Sequence, residues 1–229
     1  MPTREASHPM ASSVEPTVHR RGEGSEAAII EAARDLLAEQ GLSALSMRAV
    51  AGRVGVSATA IYRYFDSKDA LIARVVQLGF DRFGEYLRQA AAPHPRGSVE
   101  RVRALGEAYV RFALDHEAYF RVLFNIQRPV GIGLEEIPES GGYGLLRQAV
   151  VDAIEAGTLR RIDPDLVVMY LWSLAHGLVT ISLACQIDRC PEVGNTTQLR
   201  GVTELFHAIA PLVTTGILAP AAVEGRKGT

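Results

Sequence analysis

The stretch Ser46 to Lys68, SMRAVAGRVGVSATAIYRYFDSK, decides how the rest of this 229-residue chain is read. Ser46 is placed to cap a short helix, because its side-chain oxygen can accept a hydrogen bond from a free amide of the first turn. Ala49, Val50 and Val54 then recur at helical spacing along one inward face. Gly55 stops this helix, since glycine enters the left-handed region without a steric clash at Cβ. Ser57 caps a second helix, expected from Ala58 to Phe65, with Ile61 and Phe65 four residues apart on a buried face. Val50, Val54, Ile61 and Phe65 are assigned to core, and Thr59, Tyr62 and Arg63 to the opposite, outer face. Helix, tight turn and helix in this order form a helix-turn-helix, whose second helix can be offered to a DNA major groove.

Charge supports that reading locally and not globally. The whole chain carries a net charge of −2, so it is no polycation. From Ser46 to Phe65, however, there are three arginines (Arg48, Arg53 and Arg63) and no acid. Arg53 is read as a surface or ion-pairing residue, leaving Arg48 and Arg63 with Tyr62 as the main candidates for DNA. Cys185 and Cys190 form neither a disulfide framework nor a zinc pattern, which points to a reducing cytoplasm. Residues 1–24 are rich in Ser, Pro, Glu and Arg, read as a disordered arm without a signal-type apolar run, from which Arg20 and Arg21 could reach DNA.

Outward from the motif, every segment reads as helix. Ser25 to Gln40 carries an apolar stripe that includes Ile29, Ala33 and Leu37, and should pack across the back of the helix-turn-helix. Asp66 or Ser67 can cap a long helix to about Ala92, which leaves the first unit and enters a second. Helices are expected from Val99 to His116 and Glu117 to Asn125, a glycine-bearing loop from Gln127 to Gly144, and then a helix closed by Gly157. The chain therefore divides into an arm (1–24), a DNA-binding unit (25–70), a regulatory and dimerisation unit (71–218) and a flexible tail (219–229). No stretch alternates as a strand does, so the fold class is all-α.

Between Asp165 and Asp188 lie 22 residues without a formal charge, LVVMYLWSLAHGLVTISLACQI, long enough to span a bilayer. Ser173, His176, Thr180, Ser182 and Gln186, the lack of basic flanks and the lack of a second such segment argue against a membrane. The preferred reading is a helix buried on every side, between its own unit and a second subunit. The last helix, from about Thr196 to Ile217, has Leu199, Val202, Phe206, Ile209 and Val213 at spacings of three and four, a narrow packing seam that Pro211 should kink. Together with Leu178 and Ile181 these residues are assigned to a homodimer interface of four helices.

The run AARDLLAEQGLSALSMRAVAGRVGVSATAIYRYFDSKDAL resembles the tetracycline-repressor (TetR) family of bacterial transcription regulators. Trp172, His176 and Gly177 in LWSLAHGL resemble the Trp-His-Gly signature of one TetR subgroup. The resemblance implies an all-helical homodimer of about nine helices per subunit, with an N-terminal DNA-binding domain and a C-terminal regulatory domain. Carried over, it places Ser46 and Arg48 at the DNA backbone and Ser57, Ala58 and Thr59 toward base edges. Tyr62, Tyr64 and Lys68 would reach phosphates. Ala58 and Thr59 depart from the larger or basic residues often found there. The partners implied are a pseudo-palindromic operator and a small effector that releases it.

For the effector, Trp172 and His176 share a helix face, and two readings stay open. They line an apolar pocket, or Trp172 is a core anchor and His176 a buried imidazole with a local hydrogen-bond partner. Tyr109, Phe112, Phe120 and Phe124 divide the same way, as core with one or two members lining a cavity. A transcriptional activator or a ligand-independent regulator of the same fold is the nearest rival. An enzyme using His176 as a base is the distant one, since no nucleophile motif or carboxylate partner accompanies it. No cofactor or metal is expected: Gly131 and Gly133 begin a dinucleotide fingerprint that Glu136 breaks, and the histidines lack ligand spacing.

Overall fold

A computed structural model describes residues 20–124, 141–185 and 201–219, and among these the chain forms nine helices. They are α1 (Arg20–Gln40), α2 (Met47–Val54), α3 (Ala58–Tyr62), α4 (Lys68–Ala91) and α5 (Val99–Asp115), followed by α6 (Glu117–Phe124), α7 (Gly142–Glu155), α8 (Pro164–Cys185) and α9 (Val202–Ile217). The fold is all-helical, with one isolated antiparallel bridge between Leu159 and Leu218.

The first three helices enclose a small core of Ile29, Ala33, Leu37, Val50 and Ile61, each at most 2% exposed. Val54 only packs against the edge of that core, because it is the last residue of α2 and half of it faces outward. Ser46, Ser57 and Ser67 cap α2, α3 and α4, each accepting a hydrogen bond from the amide three residues on. Gly55 takes φ 79°, and its amide bonds the Ala51 carbonyl, which turns the chain sharply enough for α3 to follow.

Several boundaries differ from the sequence reading. α1 begins at Arg20, so residues 20–24 belong to a helix: no proline stands between Pro16 and the end of α1, and extending a helix costs far less than starting one. α3 ends at Tyr62 instead of Phe65, because Phe65 must turn into the core before extended Ser67 opens α4. α7 starts at Gly142, inside the segment expected to be loop, with Gly141 as its N-cap. α9 is described only from Val202; Leu199 lies outside the described residues. Ala219 does not belong to a free tail, since its amide bonds Thr158 O while Arg160 N bonds Ile217 O.

α4 has 24 residues, about 36 Å of helix. Its first half, with Leu71, Ile72 and Val75 buried, packs on α1; its second half, with Phe83 and Leu87 buried, packs on α5 and α7. α8 rests on α5, α7 and α9. It is not buried all round. Val168, Ala175 and Val179 face inward, while Leu166 (65% exposed), Tyr170, Leu174 and Ile181 face outward, because α8 lies in the outer layer of the protomer. Among the described residues it is the one helix long and apolar enough to cross a membrane.

Candidate DNA-binding surface and ligand cavity

The outer side of α2 and α3 carries the residues expected to meet DNA. Arg48, Thr59, Tyr62, Arg63 and Tyr64 are exposed, Tyr62 to 53%. Neither Arg48 nor Arg63 is paired with an acid among the described residues, so both guanidinium groups are available. Arg53 differs from them. Its two terminal nitrogens hold Glu39 at 2.6 and 2.8 Å, a bidentate clamp between α2 and α1, and this hydrogen bonding lowers the Glu39 pKa. Ser46 and Ser57 are exposed, and each uses its oxygen as a cap acceptor, which leaves the hydroxyl proton free to donate to a phosphate. Ala58 is half-buried against the core, so only part of it is offered outward.

Lys68 stands apart from this group. Its ammonium donates to the Leu42 carbonyl at 3.1 Å, joining the start of α4 to the segment after α1. Besides the role expected on the DNA side, it serves as a part-buried strut, because the α4 cap at Ser67 brings the first turn against that carbonyl. Two of its three donors remain.

The second site is a cavity of about 440 Å³ enclosed by α4 to α9, within the usual range of small-molecule pockets. Of the aromatic residues singled out in the sequence, Tyr109, Phe124 and Trp172 line it. Phe112 and Phe120 do not: both are 0% exposed, packed ring on ring in the core behind the wall. His176 lies one helical turn from Trp172 on α8, its ring against Phe120 and Phe124 and its Nδ1 2.8 Å from the Tyr109 hydroxyl. The imidazole is thus a half-buried, hydrogen-bonded group behind the wall, which agrees with the second of the two sequence readings in its local partner but not in full burial. Burial raises the Tyr109 pKa and lowers that of His176. Both groups therefore favour their neutral forms, and the phenol and the imidazole share one hydrogen bond.

This pair has a measurable pH signature. The unfolded imidazole takes up a proton near pH 6.5, and the folded one only at lower pH, so the stability it contributes is complete above about pH 6.5 and is lost as pH falls through the folded value. The melting temperature should drop between pH 7.5 and 5.0, and His176→Asn, which retains an acceptor for Tyr109, should lessen that drop. Identical pH profiles for the two proteins would contradict the assignment.

Of the interface assigned from the α9 seam, one member needs correction. Val202 is 1% exposed within one protomer and has no surface left for a partner. Leu178, Phe206, Ile209 and Val213 line the cavity, because α9 closes one side of it, and Ile181 stands at its rim while remaining 57% exposed. Spacing of three and four marks an apolar face but not what covers it. The outward apolar side of this region is Leu166, Met169, Tyr170, Leu174 and Ile181 of α8 with Leu212 of α9, the last 76% exposed.

The sequence reading missed other wall residues: Phe80 and Phe83 of α4, Arg103 of α5 and Tyr143 of α7. Phe80 and Phe83 were legible as an apolar stripe, but not as facing a void. Arg103 carried no distinct signal, because Glu100 and Glu107, three and four residues away, share its helix face and make it read as an ordinary surface charge. Gly142 is required where it stands, since a Cβ there would run into the Phe83 ring. Tyr143 and Arg147 both hold Asp165, at 3.0 and 2.8 Å, tying α7 to the start of α8.

A helix-turn-helix joined through one continuous helix to a cavity-bearing helical body defines a DNA-binding transcription regulator. Residues 29–75 match the bacterial regulatory proteins of the tetR family, and residues 102–201 match the tetracyclin repressor-like C-terminal domain. The chain belongs to the TetR family. A TetR family transcription regulator from Marinobacter aquaeolei VT8 superposes with a TM-score of 0.70 at 17% identity, over 88% of this chain and 100% of that one. A protein of unknown function from Rhodococcus sp. RHA1 gives 0.68 at 24% identity, over 85% and 95%. The regulator FadR of Bacillus subtilis, solved with stearoyl-CoA, gives 0.67 at 18% identity, over 83% and 98%. At these identities the likeness is one of fold. No curated protein sequence matches the chain.

Proposed function

We propose that the chain is a cytoplasmic transcriptional repressor, a homodimer released from a pseudo-palindromic operator by a small apolar or amphipathic ligand. The observation that carries this reading is the double duty of α4. Its start is capped by Ser67, a few residues after α3, and packs on α1, while Phe80, Phe83 and Leu87 further along line the cavity. A ligand that fits the cavity better in one setting of α4 than another shifts the protein toward that setting. In the dimer the two α3 helices would then leave the spacing, roughly 34 Å, that fits successive major grooves. The outward apolar side of α8 and α9 supports pairing there, because burying it removes contiguous hydrocarbon from water. Residues 25–70 would serve as the DNA-binding unit and 71–218 as the regulatory unit, with Trp172, His176 and Gly177 the trace of the Trp-His-Gly subgroup.

Fluorescence anisotropy with the DNA upstream of the chain's own gene is the direct test. The dimer should bind that DNA in the nanomolar range or tighter, and deleting the gene should raise expression of a reporter driven by it. Binding no tighter than to unrelated DNA would refute operator recognition. A reporter that falls on deletion would mark an activator.

A further inference from the structure

The cavity wall is apolar on nearly every side, yet Arg103 stands in it. The Nε of Arg103 is buried and has no acceptor among the described residues. Three acids of α5, α7 and α8 are engaged elsewhere: Glu107 holds Arg111 at 2.7 Å, Asp152 holds Arg96 at 3.0 Å, and Asp165 holds Arg147 at 2.8 Å. A guanidinium keeps its charge at any working pH, and an unpaired donor of a charged group out of water is costly. Such a group in an apolar cavity is satisfied by a ligand that brings the acceptor with it.

We propose that the cavity binds an apolar carboxylic acid, with its hydrocarbon body among Phe83, Phe124, Trp172 and Phe206 and its carboxylate on the Nε edge of Arg103. The proposal rests on the cavity being the effector site. One buried guanidinium N–H without an acceptor calls for one charged acceptor, and the planar guanidinium fork matches the two oxygens of a carboxylate. The Tyr143 hydroxyl, the other polar group of the wall closest in kind, already donates to Asp165. A neutral hydrocarbon would leave Nε unpaired, and a more highly charged head would bring more negative charge than the wall can match.

Trp172 lines the cavity and is the chain's single tryptophan, so its emission reports occupancy. The full-length protein is titrated below the micellar limit with sodium dodecanoate and, separately, with methyl dodecanoate, which lacks the charge. The acid should bind about ten- to a hundredfold more tightly than the ester, the worth of a hydrogen-bonded charge. Arg103→Met should erase that preference by weakening the acid and sparing the ester. Equal wild-type affinities for acid and ester, or unchanged acid binding in Arg103→Met, would overturn the anchor while leaving an apolar effector cavity in place. No response to either probe would overturn both. Acid binding with the stated preference, without release of operator DNA, would uphold the carboxylate site and remove the effector role.

Discussion

Replacing Arg48 and Arg63 together by alanine should weaken binding to the operator by about a hundredfold or more, at about 1 to 3 kcal/mol for each specific interaction with DNA that is removed. Both side chains are exposed on the outer side of the helix-turn-helix, and neither is paired with an acid among the described residues. Where an arginine bonds a phosphate, its removal should reduce the steepness of the log–log salt dependence by about 0.9. Arg53→Ala is the internal control. Its guanidinium is committed to Glu39 on α1, so its removal should leave operator affinity and salt slope where they were. Both are read from anisotropy titrations at several salt concentrations. Equal losses of affinity from Arg53→Ala and from the double variant would mean that the surface acts through general charge and not through these two positions.

The largest stability effect should come from Phe112→Ala, with a loss of about 3–5 kcal/mol. The ring is 0% exposed and lies between Phe83, Tyr86 and His116, with centroids 5.0, 5.9 and 5.2 Å away. Truncation leaves a hole that rigid neighbours cannot fill, which adds a cavity term to the forfeited transfer energy. In a chain of this size the melting temperature should fall by roughly 6–20 °C. Phe124→Ala offers the contrast. Phe124 already borders empty space, so its truncation should cost less stability and should alter Trp172 emission on ligand binding. Both are measured by thermal unfolding at one fixed protein concentration, since dimerisation makes the midpoint depend on concentration. A Phe112→Ala variant as stable as Phe124→Ala would place the ring in the wall.

The two tests separate features of different origin. Arg48 and Arg63 were legible from the sequence because a helix of known phase puts them opposite Val50 and Ile61. Phe112 and Phe124 were not distinguishable there. Both are phenylalanines on apolar helix faces, and which one meets a void depends on how α4, α5, α6 and α8 meet in space. Lys68 shows the same limit at a polar residue. Its position opening α4 was readable, but the carbonyl it bonds belongs to Leu42, which only the packing of α1 brings near.

By itself, the sequence determined the helix-turn-helix: two serine caps, a glycine in the left-handed region and apolar positions in helical phase are relations among residues a few places apart, and local backbone chemistry decides them. It also determined the all-helical class, since no segment carries the period of a strand. Tertiary structure decided what each apolar face meets. Val202 meets core, Phe206 a cavity and Leu212 solvent, all on one helix whose spacing reads as a single seam. Apolar burial has no direction of its own and is proportional to the area covered, so the same side chain serves a core, a pocket or a partner. Only the arrangement of distant helices around it sets which.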